Sequence, residues 1–316
     1  MSIPSLNDIQ KAHRRIVSLI HQTPVLTSSS FNAIVGGQVF FKCENLQKTG
    51  SFKIRGASNA ILSLSDNERE KGVTTHSSGN HAQALAYAAQ SLGIKATIVM
   101  PDDAPSVKKK AVAGYKAEIR YCSPTPEARE AMCEEVQRKT GAIFIPSYND
   151  NRIITGQGTA ALELLKLHPD LDIILTPIGG GGLLSGSVIA AKGINSNIQV
   201  IGTEPEAAND AFLSFKKGEL ILVNKPNTIC DGLKTSLGDL TFAVISSYVT
   251  DIVTVDENSI LQAMRYIWER MKIVIEPSSA VPVAALLSGK VEAHNKKIGI
   301  IISGGNVDLD HLPWHQ

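Results

Sequence analysis

The chain has 316 residues, 43% of them hydrophobic and 19% charged, with Lys plus Arg at 31 and Asp plus Glu at 30. That length packs two units or one large one, and the near balance of charge gives no electrostatic reason to bind nucleic acid or an anionic membrane. Its cysteines, Cys43, Cys122, Cys133 and Cys230, form no C-x-x-C pair, no basic-then-apolar leader opens it and no apolar run reaches membrane-spanning length, so a zinc site, a redox dithiol and a membrane anchor are not signalled and a reduced, cytoplasmic protein is expected.

The first predicted strand is Val39–Cys43. A loop signal follows, and then the run Ser51-Phe52-Lys53-Ile54-Arg55-Gly56-Ala57, in which Lys53 lies on one side of an amphipathic segment. A partly desolvated amine there loses its proton more easily than a surface amine and can form a Schiff base with an aldehyde. After a strand at Val73, Thr75-His76-Ser77-Ser78-Gly79-Asn80-His81 opens a helix over Asn80–Leu92. Such a loop either caps the helix or presents several donors to a carboxylate, with the Ser78 hydroxyl as a proton carrier. Strands are predicted next at Ala96–Met100 and Ala117–Tyr121, then a helix through Thr159–Leu167 and a strand at Ile173–Thr176.

Gly179-Gly180-Gly181-Gly182 follows that strand and precedes the helical pattern Leu183–Val188. Glycines let the backbone approach a phosphate, and a helix N-terminus adds free N–H donors and a favourable dipole. A P-loop fails, because Ser187-Val188 stands where Lys-Ser/Thr is required, and no G-x-G-x-x-G runs through the segment. A dinucleotide site keeps one attraction, Glu204 after the strand Gln199–Gly202, where a ribose-binding acid would sit. A reactive lysine beside a phosphate cradle suggests an aldehyde cofactor carrying a phosphate, pyridoxal phosphate. Glu204-Pro205-Glu206-Ala207-Ala208-Asn209-Asp210 is rich in oxygens that suit hard cations, yet its spacing alone reads first as a helix start. The last predicted strand, Ile298–Ile302, leads into Ser303-Gly304-Gly305-Asn306, either a plain turn or a site at which Ser303 faces a ring nitrogen without forcing it into its cationic form.

Strands alternating with helices predict an α/β protein of two lobes, each an open, mostly parallel sheet covered by helices, the smaller inserted in the larger. Residues 69–148 are expected to form the small, substrate-closing lobe, and 1–68 with 149–316 the large, cofactor-binding one.

Taken together, Ser-Phe-Lys-Ile-Arg-Gly-Ala, Ser-Ser-Gly-Asn-His, Gly-Gly-Gly-Gly-Leu and Ser-Gly-Gly-Asn resemble the fold-type II pyridoxal phosphate enzymes, the tryptophan synthase β family, and within it the serine racemases and serine/threonine dehydratases. The resemblance runs from Thr23 to Asp308. It implies that Lys53 holds the cofactor and acts as base on one face of the substrate, that Gly179, Gly180, Gly181, Gly182 and Leu183 bind phosphate, that Asn80 bonds the phenolic oxygen and that Ser303 meets the pyridine nitrogen. Ser77, Asn80 and His81 would take the substrate carboxylate, with Arg129 assisting closure. Glu204, Asp210 and the Ala208 carbonyl match a divalent-cation site (Mg²⁺, Ca²⁺ or Mn²⁺), reversing the reading from spacing alone. Ser28, Ser29, Ser30, Lys48, Thr49, Gln83, Tyr115, Lys272 and Asn306 match a nucleotide-effector site for ATP, with Ser30 in place of an aliphatic residue. Typical threonine dehydratases carry Ala where this chain has Ser78, so the resemblance implies a serine racemase with accompanying β-elimination, acting as a homodimer on a small amino acid. A dedicated threonine/serine dehydratase or 3-hydroxyaspartate ammonia-lyase is the alternative; a nucleotide-binding module without covalent chemistry is the reading from another class.

Overall fold

A computed structural model describes residues 3–104, 106–222 and 226–315; the side chains of Val107 and His315 lie outside the description. Its strands are β1 (Val25–Leu26), β2 (Gln38–Cys43), β3 (Val73–His76), β4 (Ala96–Pro101), β5 (Glu118–Cys122), β6 (Ile143–Phe144), β7 (Ile173–Pro177), β8 (Gln199–Pro205), β9 (Asp251–Val255) and β10 (Lys297–Ile302). They form two sheets, a six-stranded one in the order β1-β2-β10-β7-β8-β9 and a four-stranded one in the order β5-β4-β3-β6. Every pairing is parallel except β1 with β2. All four strands of the smaller sheet fall in sequence between β2 and β7 of the larger, so one lobe is inserted in the other, as the alternation predicts. The strands are apolar along most of their length, as sheets covered on both faces require: β7 is buried throughout, and β10 from Ile298 to Ile302.

Three helices set the working geometry. Asn151–Leu167 is capped by the Asp150 carboxylate, which accepts from the Arg152 N–H, and it packs against Lys53–Leu62 on one side and Gly182–Ile194 on the other. Glycines at the crossings let the backbones nearly touch. A Cβ on Gly156 would lie 2.6 Å from the Gly56 Cα, and one on Gly186 would lie 2.4 Å from the Ile154 carbonyl oxygen. At close packing a single added methyl there forces helices apart. The two segments singled out for chemistry therefore sit on helices held to a common third helix.

Parallel strands place the loops that follow them on one edge of their sheet. Those after β3, β7, β8 and β10 are the four loops the sequence marks as functional. The run before Lys53 is tied to the last of them by a bridge between Ser51 and Gly304 and by the Phe52 N–H donating to the Ser303 carbonyl at 3.0 Å. No helix among the described residues is long and apolar enough to cross a membrane.

Along Glu204–Asp210, β8 carries on to Pro205, a 3₁₀ turn occupies Glu206–Ala208 and a helix starts at Asp210, so the reading from spacing alone holds for Asp210 and not for Glu204. Two expectations need correcting. The helix predicted from Thr159 begins at Asn151, because its glycines, disfavoured in isolation, are required by its neighbours. Strand β9 was not expected; it is a short edge strand whose Ile252-Val253-Thr254-Val255 run carries the β-branched signal.

Candidate active site

Lys53 is the first residue of its helix, and its Nζ donates to the Ser147 carbonyl at 3.0 Å. Burial pushes its amine down to about 8, against the opposing pull of the Glu276 carboxylate. Near neutrality a useful fraction of the amine is therefore uncharged and nucleophilic. His81 lies beside it, fully enclosed, with Nε2 3.0 Å from the Ile145 carbonyl. A carbonyl only accepts, so Nε2 carries the proton, and Nδ1 is left without a partner. Burial and the neighbouring Lys53 push this ring down to about 3, so it is neutral. Its bond to Ile145 and the Lys53 bond to Ser147 both end on the segment that joins β6 to helix Asn151–Leu167.

The glycine run fits a phosphate on steric grounds. Gly181 has φ +85° and serves as the N-cap of helix Gly182–Ile194. A Cβ on Gly180 would lie 2.3 Å from the Tyr148 ring, one on Gly181 2.7 Å from Leu237, and one on Gly182 3.2 Å from Tyr148. A side chain at Gly180 or Gly181 would force its neighbours to move. The Gly180 carbonyl is tied back by the Thr241 hydroxyl at 2.9 Å, while the first-turn N–H groups of a thirteen-residue helix have no intrahelical acceptor.

Asn80, the first residue of helix Asn80–Ser91, donates through Nδ2 to both oxygens of Glu276, at 3.0 and 3.1 Å, and accepts through Oδ1 from Asn306 at 2.8 Å. Glu276 was not foreseen. It is buried, and burial pushes its carboxyl up to about 7. A Cβ on Gly304 would lie 2.8 Å from its Oε1, which explains the glycine there. Ser303 is buried, with Oγ 2.9 Å from the Ser279 hydroxyl. The motifs around Lys53, Asn80 and Ser303, far apart in sequence, thus share one cluster. Ser77, Ser78 and Gly79 are half-buried, and a Cβ on Gly79 would meet nothing within 4 Å, so this loop borders open space. Arg129 is half-buried on helix Pro126–Thr140, its Nε 3.4 Å from the Thr125 carbonyl.

Sequence reasoning also missed Tyr148, whose ring fills the space left by Gly180, and an ion pair across the lobes, Lys108 Nζ to Asp231 at 2.8 Å. Neither carries a sequence signal beyond residue type, since each depends on segments brought together by the fold.

Glu204 is buried and accepts from the Ala211 and Phe212 N–H groups at 3.1 and 2.9 Å. Its carboxyl is pushed well up by burial, with nearby Asp210 adding to the shift. Asp210 is also buried and shifted up by burial, and its Oδ2 has no partner. Two enclosed carboxylates with an unpartnered oxygen, beside the buried Ala208, suit a hard cation. The described residues hold no group of three or more His, Cys, Asp and Glu side chains fit for a metal, so the set stays at two carboxylates and a carbonyl.

The residues matched to a nucleotide fall in two groups. Lys48 lies 5.8 Å over the Tyr87 ring, which meets Tyr115 edge-on at 5.3 Å; Thr49 accepts from Asn306 at 2.8 Å, and Gln83 lies on the adjoining helix. Elsewhere, Ser28 and Ser30 are 3.1 Å apart and Ser30 reaches the Tyr266 hydroxyl at 3.1 Å. Ser29 opens the short helix there, and Lys272, with φ +60°, ends the π-turn that follows the Tyr266 helix.

Comparison with known proteins agrees with this geometry. Over 316 residues the chain is 50% identical to a serine racemase of Dictyostelium discoideum, covering 99% of this chain and 98% of that protein. It is 46% identical over 315 residues to a beta-hydroxyaspartate dehydratase of Paracoccus denitrificans, covering all of both. Among solved structures, that of maize serine racemase superposes with a TM-score of 0.97 at 45% identity, covering 99% of this chain and 97% of that one. The family model described as "Pyridoxal-phosphate dependent enzyme" matches residues 16–304, nearly the whole length over which the lysine, the glycine cradle and the Ser303 loop converge, and the chain belongs to that family.

Proposed function

We propose that this protein is a serine racemase that interconverts L- and D-serine and also eliminates water from serine to give pyruvate and ammonia. The observation that carries the reading is a low-pKa lysine, Lys53, beside His81, whose helix follows directly on the loop that carries Ser78, in a chain alike over its full length to a serine racemase. The cofactor, held through Lys53 and cradled by Gly179–Gly182 and Leu183, with Asn80 and Ser303 at its ring, would supply an electron sink for the charge left at the substrate α-carbon.

The protein's own part is to place acids and bases. Lys53 Nζ takes the α-proton on one face, and Ser78 Oγ returns one on the other; racemisation needs both. A serine hydroxyl is a weak acid and a weak base, so its exchange with solvent or a neighbour sets the pace. If hydroxide leaves the β-carbon before Ser78 acts, the product is pyruvate with ammonia. The substrate carboxylate would be taken by Ser77, Asn80 and His81, the last through its backbone N–H in the first turn of helix Asn80–Ser91, since its neutral ring has no N–H left to donate. Arg129 would draw residues 69–148 over the substrate as the closing lobe, against 1–68 and 149–316. Glu204, Asp210 and the Ala208 carbonyl would hold a divalent cation, and ATP would act as an effector at the two groups of residues described above. We place the enzyme in the cytoplasm as a homodimer. A second reading, elimination from 3-hydroxyaspartate, is favoured by the dehydratase likeness at 46% identity.

The test is product analysis from both serine enantiomers, threonine and 3-hydroxyaspartate, with wild-type protein and with Ser78→Ala. The variant should lose D-serine formation from L-serine by about 100-fold, the scale of a general acid–base group, while elimination persists. Unchanged D-serine formation would remove Ser78 as the second group. Products from 3-hydroxyaspartate alone would replace the racemase reading by the second one.

A further inference from the structure

A buried ionic cluster outside the site lies two residues from Lys53. Arg55 is wholly enclosed and uses all five of its N–H donors. Nε donates to Glu44 Oε2 at 2.6 Å and Nη2 to Glu44 Oε1 at 2.8 Å. On the other side Nη1 and Nη2 each donate to Glu163 at 2.8 Å, and Nη1 also reaches the Thr159 hydroxyl at 3.1 Å. Lys42 supplies the second cation, donating to Glu163 Oε2 at 2.6 Å and to the Thr23 carbonyl at 2.8 Å. Thr23 closes the ring with a hydroxyl bond to Glu44 Oε1 at 2.5 Å. His13 stands at the edge, 3.7 Å from Glu163, kept neutral by burial and by Lys166. Two cations balance two carboxylates.

Removing these charges from water is costly, and an apolar core of the same volume is often no less stable. What the cluster supplies is registry, since a forked guanidinium held by two carboxylates fixes both distance and rotation. It joins the first turn of the Lys53 helix, through Arg55, to helix Asn151–Leu167, through Glu163 and Thr159. That second helix begins just after Ser147, whose carbonyl accepts the hydrogen bond from Lys53 Nζ. The Gly56 N–H also donates to Gln157 on the same helix at 3.0 Å.

We propose that Arg55 is a positioning residue for Lys53: held from one side by Glu44 in the turn after β2, it locks its own helix in register with helix Asn151–Leu167 through Glu163 and so holds the Lys53 amine against the Ser147 carbonyl in a dry setting. This rests on Lys53 as the reactive amine and holds whether the enzyme racemises or eliminates.

The experiment uses the full chain stripped of cofactor, with acetic anhydride as probe and peptide mass spectrometry as readout of Lys53 acetylation against pH. Wild-type Lys53 should titrate near 8, well below the exposed lysines; if it titrates with them, the reading of Lys53 itself fails. Arg55→Lys keeps the charge but not the fork, and should raise the Lys53 midpoint by at least about half a unit as water enters. Glu44→Gln should move it the same way and serves where Arg55→Lys does not fold. Ile61→Val, a buried change in the same helix away from the cluster, should lower the melting temperature without moving the midpoint. A folded Arg55→Lys or Glu44→Gln protein with an unchanged Lys53 midpoint overturns the proposal, as does an equal shift in Ile61→Val.

Discussion

At Lys53 and Glu276 one cause, burial, acts on two groups with opposite effect. Glu276 holds its proton up to about pH 7 against an ordinary 4.5. Between those values the folded chain is protonated there and the unfolded chain is not. The stability tied to this group is therefore full below about 4.5 and lost as pH rises to 7, on the order of 3 kcal/mol in all. Glu276→Gln keeps the Asn80 contact without the titration. Its cofactor-free melting temperature should fall less than that of the wild type between pH 5 and pH 7, and parallel melting curves for the two proteins would refute the assignment. Lys53 runs the other way. Its folded value, about 8, is below the ordinary 10.5, so the chain gains stability from it as pH rises between the two. Because the Glu276 carboxylate is what opposes that depression, Glu276→Gln should carry the Lys53 acetylation midpoint below 8. Lys53, Ser78 and the four glycines stand out in the sequence because their signal is local: a residue type at a loop-to-helix junction. Glu276 does not. It precedes Pro277 at the start of helix Pro277–Leu287 and reads as an ordinary helix entry, and only the fold brings it against Asn80 and Gly304.

Elements matter here through the distances between their backbones. The glycine loop after β7 is shaped from outside by Tyr148, which comes from the segment after β6, and from behind by Thr241. Gly180→Ala would push Cβ into the Tyr148 ring, and the loop would have to move off the path proposed to cradle phosphate. Cofactor affinity, followed by absorbance on titration with pyridoxal phosphate, should fall at least 10-fold, while Gly114→Ala, with open space around it, should change nothing. The pair Lys108–Asp231 joins helix Ser106–Gly114 of the small lobe to the Asp231–Leu233 turn of the large one. With Asp231 66% exposed it is a surface bridge, and such pairs contribute about 0.2–1 kcal/mol. Asp231→Asn should therefore raise KM for serine by up to about 5-fold, leave the melting temperature within about 2 °C and reduce the salt dependence of KM. An unchanged KM at low salt would show that the bridge takes no part in closure. The strands left unread, β1, β6 and β9, share one physical reason: two are only two residues long and the third is an edge strand, so tertiary pairing rather than local pattern creates them.

Across the whole molecule, the α/β alternation was legible because helices and strands bury surfaces of different period, and insertion of one lobe follows from where the strands of the smaller sheet fall in the chain. Spacing alone misplaces Glu204, which with Glu206 and Asp210 looks like a helix-start acid until β8 is seen to carry it inward. That placement has a global consequence. A folded chain that encloses two neighbouring carboxylates, one with an unpartnered oxygen, carries a repulsion the unfolded chain does not. A cation bound by both removes it, and binding to the folded chain alone stabilises by RT ln(1 + [L]/Kd), about 2.7 kcal/mol at one hundred times Kd. For a chain of this size that is a rise of roughly 5 °C in melting temperature. Melting should be followed in chelator and then in excess Mg²⁺ or Ca²⁺, with wild-type protein and with Asp210→Asn. The wild type should gain that increment, and the variant, already relieved of one charge, should gain little of it. A wild type in proven metal-free form that melts at one temperature with and without added cation would take Glu204 and Asp210 out of the metal site. A gain of equal size in Asp210→Asn would place the cation elsewhere in the fold.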